Sequence, residues 1–180
     1  MPFAGAKKAR CIRSGRASVP LKRRPGLIVL PPIGGKIMLV SHILRDKGRD
    51  VLAIGPDATL AEAATILSKH RIGALVVRAD DGTLVGVLSE RDIVRAVAEA
   101  GAAALTLSIA ERMTKDVATC EETDTIEEIM ETMTRCRFRH MPVIDDDNIV
   151  GIVSIGDVVK TRIAETLREA QALKEYIATS

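Results

Sequence analysis

Apolar residues along this chain fall into two periods. Short continuous runs at 74–77, 84–88, 141–144 and 149–153 have the length and branched character of buried strands. Elsewhere apolar residues recur at helical spacing: Leu60, Ala63, Ala64 and Leu67, then Ile126, Ile129, Met130 and Met133. Each helical stretch follows a Thr with Glu three positions on, Thr59 with Glu62 and Thr125 with Glu128. That is a capping box, which satisfies backbone N–H groups at a helix start. Short strands are expected ahead of each helix, at 51–54 and 117–119. The later runs are paired around "RADDGT" and "DDDN", whose Asp-Gly and Asp-Asn steps predict hairpins. Closing helices begin near Glu90 and Ile155. The second runs to about residue 176, with Val158, Val159, Ile163, Leu167, Ala170, Leu173 and Ile177 along one side.

The order β-α-β-β-α thus occurs twice. Thr59 overlays Thr125 and Arg71 overlays Arg137. After one residue is lost in the turn, Gly86 overlays Gly151, Ser89 overlays Ser154 and Asp92 overlays Asp157. A period of 65–66 residues is too long for the common solenoids, so two copies predict a pseudo-symmetric pair. A single copy of about 60 residues is marginal alone, because small domains bury too little surface. Its nearly continuous apolar strands need cover on both faces. The expected fold is therefore α/β (α+β), two repeats packed sheet to sheet about a pseudo-twofold axis, with two related clefts between them. The expected division is a leader at 1–37, repeats at 38–107 and 108–165, and a helix extension at 166–180.

Charge changes the picture at the N-terminus. The chain has 180 residues, 26 Lys+Arg, 24 Asp+Glu and a formal net charge of +2. Residues 1–37 hold nine of the basic residues and no acid, leaving 17 basic against 24 acidic residues in the body, a net of −7. The leader also holds five of the seven prolines and is expected to be disordered. It reads as a polybasic arm for nucleic acid or anionic lipid, as an acid-free organelle transit segment, or as sequence upstream of a true start at Met38. Its longest apolar run, 27–30, is too short for a secretory signal, and no stretch approaches a membrane span. The acidic body disfavours a nucleic-acid partner. Two Phe, one Tyr and no Trp argue against a base-stacking platform. Three cysteines without a C-x-x-C argue against a disulfide framework or structural zinc and suit a reducing, cytoplasmic compartment.

Catalytic signatures are weak. "GIVSIG" has the wrong glycine spacing for a nucleophile elbow. "PPIGGKI" lacks the first P-loop glycine and has Ile37 where magnesium needs Ser or Thr. His42, His70 and His140 form no metal-ligand pattern. The expectation is a non-enzyme with no catalytic cofactor and no metal site.

The segments "HRIGALVV", "LVGVLSERDIVRA", "RFRHMPVID" and "IVGIVSIGDVVK" carry the signature apolar-Gly-apolar-apolar-Ser-x-x-Asp twice, in register. This pattern resembles a tandem pair of cystathionine-β-synthase (CBS) domains, a Bateman module, of the small stand-alone type. The resemblance implies that the clefts bind adenosine-containing ligands: AMP, ADP, ATP, NAD(H) or S-adenosylmethionine. It implies one cleft formed by Asp157, Ser154 and Ile152 with Leu52, Ile54, Ile72, Gly73 and Ala74. It implies a second formed by Asp92, Ser89 and Arg91 with Thr119, Phe138, Arg139, His140 and Pro142. A carboxylate at a strand–helix junction suits a ribose diol, and hydroxyls and N–H groups at a helix start suit phosphate. Ser-x-x-Asp is also an N-cap pattern, so both acids have a purely structural alternative. Arg91, Arg137, Arg139 and His140 make the Asp92 cleft the more positive one. The family's habit further implies a flat homodimer through Glu90–Ala100 and the C-terminal helix, and an effector protein that reads ligand occupancy. Rival readings are a ligand-free dimeric interaction scaffold and nucleic-acid binding through the leader.

Overall fold

The computed structural model describes residues 37–146 and 148–179. The leader, with the disorder, targeting and nucleic-acid readings attached to it, lies outside them save Ile37. In chain order the elements are α1 (Val40–Lys47), β1 (Ala53–Ile54), α2 (Leu60–His70), β2 (Ala74–Arg78), β3 (Leu84–Ser89) and α3 (Glu90–Ala100). Two 3₁₀ turns, Gly101–Thr106 and Ile109–Glu111, lead to α4 (Ile126–Cys136), β4 (His140–Asp145), β5 (Asn148–Ser154) and α5 (Ile155–Thr179).

Both expected capping boxes form. Thr59 N donates to Glu62 Oε2 at 2.7 Å, and Glu62 N donates to Thr59 Oγ1 at 3.3 Å. Thr125 and Glu128 exchange the same pair of bonds, each at 3.3 Å. Helices α2 and α4 also end alike, on Arg71 (φ 54°) and Arg137 (φ 60°) in the left-handed region. A side-chain-bearing residue there is strained by roughly 1–2 kcal/mol, which glycine would avoid.

The sheets depart from the expectation in one repeat. In the first, β1 pairs parallel with β2 and β2 pairs antiparallel with β3. In the second, β4 and β5 form a hairpin, but the strand expected at 117–119 does not form. Its place is held by a single parallel bridge, Cys120 to Val143, in which Cys120 N donates to Pro142 O and Ile144 N to Cys120 O. The chain turns just before, with Val117 N donating to Lys115 O, so no extended run precedes the bridge.

Two separate cores result, and each is completed crosswise. Leu60, Ala63, Leu67, Leu75, Val77 and Leu88 of the first repeat enclose Ile109, from the segment leading into the second. Ile126, Ile129, Met133, Met141, Val143 and Val153 of the second enclose Val40, Ile43 and Leu44 of α1, which opens the first. Backbone bonds repeat the exchange: Leu60 N donates to Leu107 O, and Ile126 N to Met38 O. An eight-residue helix is not stable alone, so α1 exists because its apolar side is buried here. Arg45 and Lys47 in its last turn suit the negative end of the helix dipole.

The crossing explains the glycine of each apolar-Gly-apolar motif. A Cβ on Gly151 would stand 2.6 Å from Leu44 Cδ2, and one on Gly86 would stand 2.5 Å from Met113 Sδ and 3.0 Å from the Thr114 carbonyl. Each glycine leaves room for the incoming side chain. Cys120 is buried in the second core. Burial pushes its thiol up to about 12, helped by the nearby Asp124 and Glu121 carboxylates.

Candidate functional site

The last strand of each repeat hands over to a helix at a Ser. At the end of β3, Ser89 N and Ser89 Oγ both donate to Asp92 Oδ2, at 2.9 and 2.6 Å. At the end of β5, Ser154 N and Oγ donate to Asp157 Oδ2 at 2.9 and 2.7 Å, and Asp157 N donates back to Ser154 Oγ at 3.2 Å. Both acids therefore serve as caps, through one carboxylate oxygen. Among the described residues the other oxygen, Oδ1, accepts no hydrogen bond in either case. Asp157 has a further partner, since Lys47 Nζ donates to its Oδ2 at 2.6 Å and to Ile152 O at 3.1 Å. Burial raises the Asp157 pKa, but the bonds from Lys47 and Ser154 outweigh it and the carboxyl is held below its usual range.

Two cavities open beside these corners. The one at Asp92 has a volume of about 300 Å³. It is lined by Ser89, Arg91, Asp92, Phe138, Arg139 and His140 of the expected set, and also by Gly73, Val87, Glu90, Arg95, Thr114, Asp116, Val117, Ala118, Cys136 and Arg137. Thr119 and Pro142 are not on its walls. Pro142 is buried in β4, where its carbonyl accepts the Cys120 N–H. Four arginines face three carboxylates in this cavity, Arg91, Arg95, Arg137 and Arg139 against Glu90, Asp92 and Asp116.

The other cavity, of about 410 Å³, is lined by Leu52, Ile72, Gly73, Ala74, Ile152 and Ser154, with Lys47, Asp50, His70, Arg71 and His140. Ile54 is not on its wall and packs instead against the first core. Asp157 is not on the wall either, whereas Lys47, which is bonded to it, is.

Both cavities draw on both repeats. The family model for the CBS domain matches residues 40–99 and 108–164. The chain belongs to the CBS-domain family. It is 48% identical to the CBS-domain containing protein ATU1752 from Agrobacterium tumefaciens, with a TM-score of 0.69 over 72% of this chain and 96% of that one. The CBS domain pair of MJ0100, solved with 5′-methylthioadenosine and S-adenosyl-L-methionine, is 30% identical with a TM-score of 0.65, over 72% of this chain and 99% of that one. The CBS domain protein PAE2072 from Pyrobaculum aerophilum, complexed with AMP, is 33% identical with a TM-score of 0.60, over 67% of this chain and 89% of that one.

In this CBS pair the two cavities share a wall. Gly73 of the first repeat and His140 of the second line both. A Cβ on Gly73 would stand 2.9 Å from His140 Cε1 and 3.0 Å from its Nε2. Burial lowers the His140 pKa most, Lys47 adds to the effect, and Glu90 and Asp157 oppose it. Several charged or titratable residues on the walls lie outside the expected site sets, among them Lys47, His70, Arg71 and Asp116. His70 reads from sequence as a dipole partner at the end of α2, and Arg71 as a solvated charge, yet both line the Asp157 cavity. Lys47 and Asp116 carry no motif. They lie three residues after Leu44 and Met113, the two side chains that sit over Gly151 and Gly86.

Proposed function

We propose that this CBS pair is a regulatory module that binds adenosine-containing ligands in the two inter-repeat clefts and acts through a partner protein. The observation that carries the reading is the corner geometry. Asp92 and Asp157 are each fixed by a Ser through Oδ2, with Oδ1 left to accept a ribose hydroxyl. The AMP complex of PAE2072 and the methylthioadenosine and S-adenosylmethionine complex of MJ0100 support the ligand class. Arginines at the Asp92 cleft suit a di- or triphosphate or a dinucleotide such as NAD(H), and the unequal charge of the clefts favours different occupants. The chain's own residues bind and orient, and no catalytic role is assigned to them.

Titrating AMP, ADP, ATP, NADH and S-adenosylmethionine should raise the melting temperature with at least one. Asp92→Ala and Asp157→Ala should each weaken one class of site about tenfold or more, because a hydrogen bond to a charged group contributes roughly 1.5–3 kcal/mol. Melting unmoved by all five at millimolar concentration would overturn the reading. It would favour a ligand-free scaffold, for which the observation is that both acids already cap helices.

The same reading includes a homodimer. Val94 on α3 and Val159, Ile163, Leu167, Leu173 and Ile177 on α5 are exposed, and no element among the described residues covers them. Light scattering should give twice the chain mass, and Leu167→Glu with Ile163→Glu should return it to the monomer. A monomeric wild type would remove this part of the proposal.

A further inference from the structure

We propose that Lys47 is a built-in stand-in for the ligand of the Asp157 cleft and makes that cleft select 5′-phosphorylated adenosines over neutral ones. The proposal rests on the nucleotide-binding reading above. An ammonium offers three N–H donors and no acceptor. Lys47, on the cleft wall with Ile152, spends one on Asp157 Oδ2 just behind that wall and one on the carbonyl of Ile152. An adenosine brings donors of the same kind, two ribose hydroxyls and one exocyclic amine. A ribose diol that takes both oxygens of Asp157, the open Oδ1 and Oδ2 together, must therefore move the ammonium off Oδ2.

The lysine is suited to being moved. Its side chain is 39% exposed, so the pair is partly hydrated and weakly held. Its flexible four-carbon stem lets the ammonium swing while the backbone stays fixed at the end of α1. The fate of the displaced ammonium depends on the ligand. A neutral nucleoside displaces it and offers it only neutral acceptors in exchange for a carboxylate. A 5′-phosphate offers a charged acceptor within the same cavity, so the lost pair is replaced by a new one. Arg71, on the same wall, adds to that preference without competing for Asp157.

The second cleft lacks the device. Among the described residues no cation bonds Asp92, whose Oδ2 is held by Ser89. Selection by displacement is therefore confined to one side of the pair.

Calorimetry with AMP and with adenosine on the full chain tests this, with Asp92→Ala as background to weaken the other cleft. The background protein should bind AMP at least tenfold more tightly than adenosine. Adding Lys47→Met should shrink that ratio at least fivefold, with AMP weakened and adenosine strengthened, and Lys47→Arg should retain most of it. Both ligands bound with a ratio that Lys47→Met leaves unmoved would overturn the role of Lys47 and leave the nucleotide reading standing. Binding of neither ligand to any of the proteins would overturn this proposal, and the nucleotide reading falls with it only if ADP, ATP, NADH and S-adenosylmethionine also leave the melting temperature unmoved.

Discussion

Replacing Leu44 with alanine should destabilise the second repeat by about 2–5 kcal/mol, the usual range for truncating a buried leucine whose surroundings collapse only in part. Leu44 lies at the start of the first repeat, yet it is 1% exposed within the core of the second. Its side chain lies over Gly151, where a Cβ would come within 2.6 Å of Cδ2 and 3.0 Å of Cδ1. Gly151→Ala alone should therefore also destabilise, by about 1–3 kcal/mol, since packed cores accept added volume poorly. The two changes should not add. With Leu44 shortened the new methyl has room, so the double variant should lose clearly less than the sum. Urea unfolding followed by far-UV circular dichroism gives the totals, and hydrogen exchange at β4 and β5 assigns the loss to the second repeat. A cost below about 1 kcal/mol for Leu44→Ala, or strict additivity with Gly151→Ala, would mean that α1 is not part of that core.

Nothing in the residues around Leu44 announces this. The repeat, the capping boxes and the strand–helix corners are legible because each rests on local chemistry. A Thr with Glu three positions on caps a helix whatever surrounds it, and Thr59 and Thr125 do so in the structure. Helix α1 is different. Eight residues with three buried positions give too little periodicity to stand out, and its stability comes from a partner more than seventy residues away. The same limit hides Lys47 and Asp116, which reach the clefts only because the crossing segments bring them there. Arg71 and Arg137 carry a readable signal, an identical residue at the same repeat position directly after each amphipathic helix. Their left-handed backbone is what turns the chain from helix toward strand at the cleft rim. The strand expected at 117–119 fails for a local reason, because the turn at Lys115–Val117 leaves only Cys120 free to pair.

The shared wall gives the other large effect. Gly73→Val should weaken adenosine-ligand binding in both clefts, whereas Asp92→Ala and Asp157→Ala each weaken one. Gly73 has no positive φ, so valine meets no backbone objection there, and the consequence comes from space alone. The first added carbon would stand 2.9 Å from His140 Cε1 and 3.7 Å from Glu90 Oε2, and two further methyls need room beyond it. The His140 ring must give way, and it lines both cavities. Overpacking of this kind costs about 1–3 kcal/mol. Where the strain is relieved only by narrowing the clefts, that range corresponds to about a five- to a hundredfold loss of affinity. Gly73→Val with His140→Ala should recover part of the loss in each cleft, since the obstructing ring is gone. The comparison is made by calorimetry with AMP and with ATP on each variant. A loss confined to one cleft, or no rescue by His140→Ala, would show that the wall does not join the two sites. Loss in both, with rescue in both, would make Gly73 and His140 the contact through which one bound ligand is felt by the other.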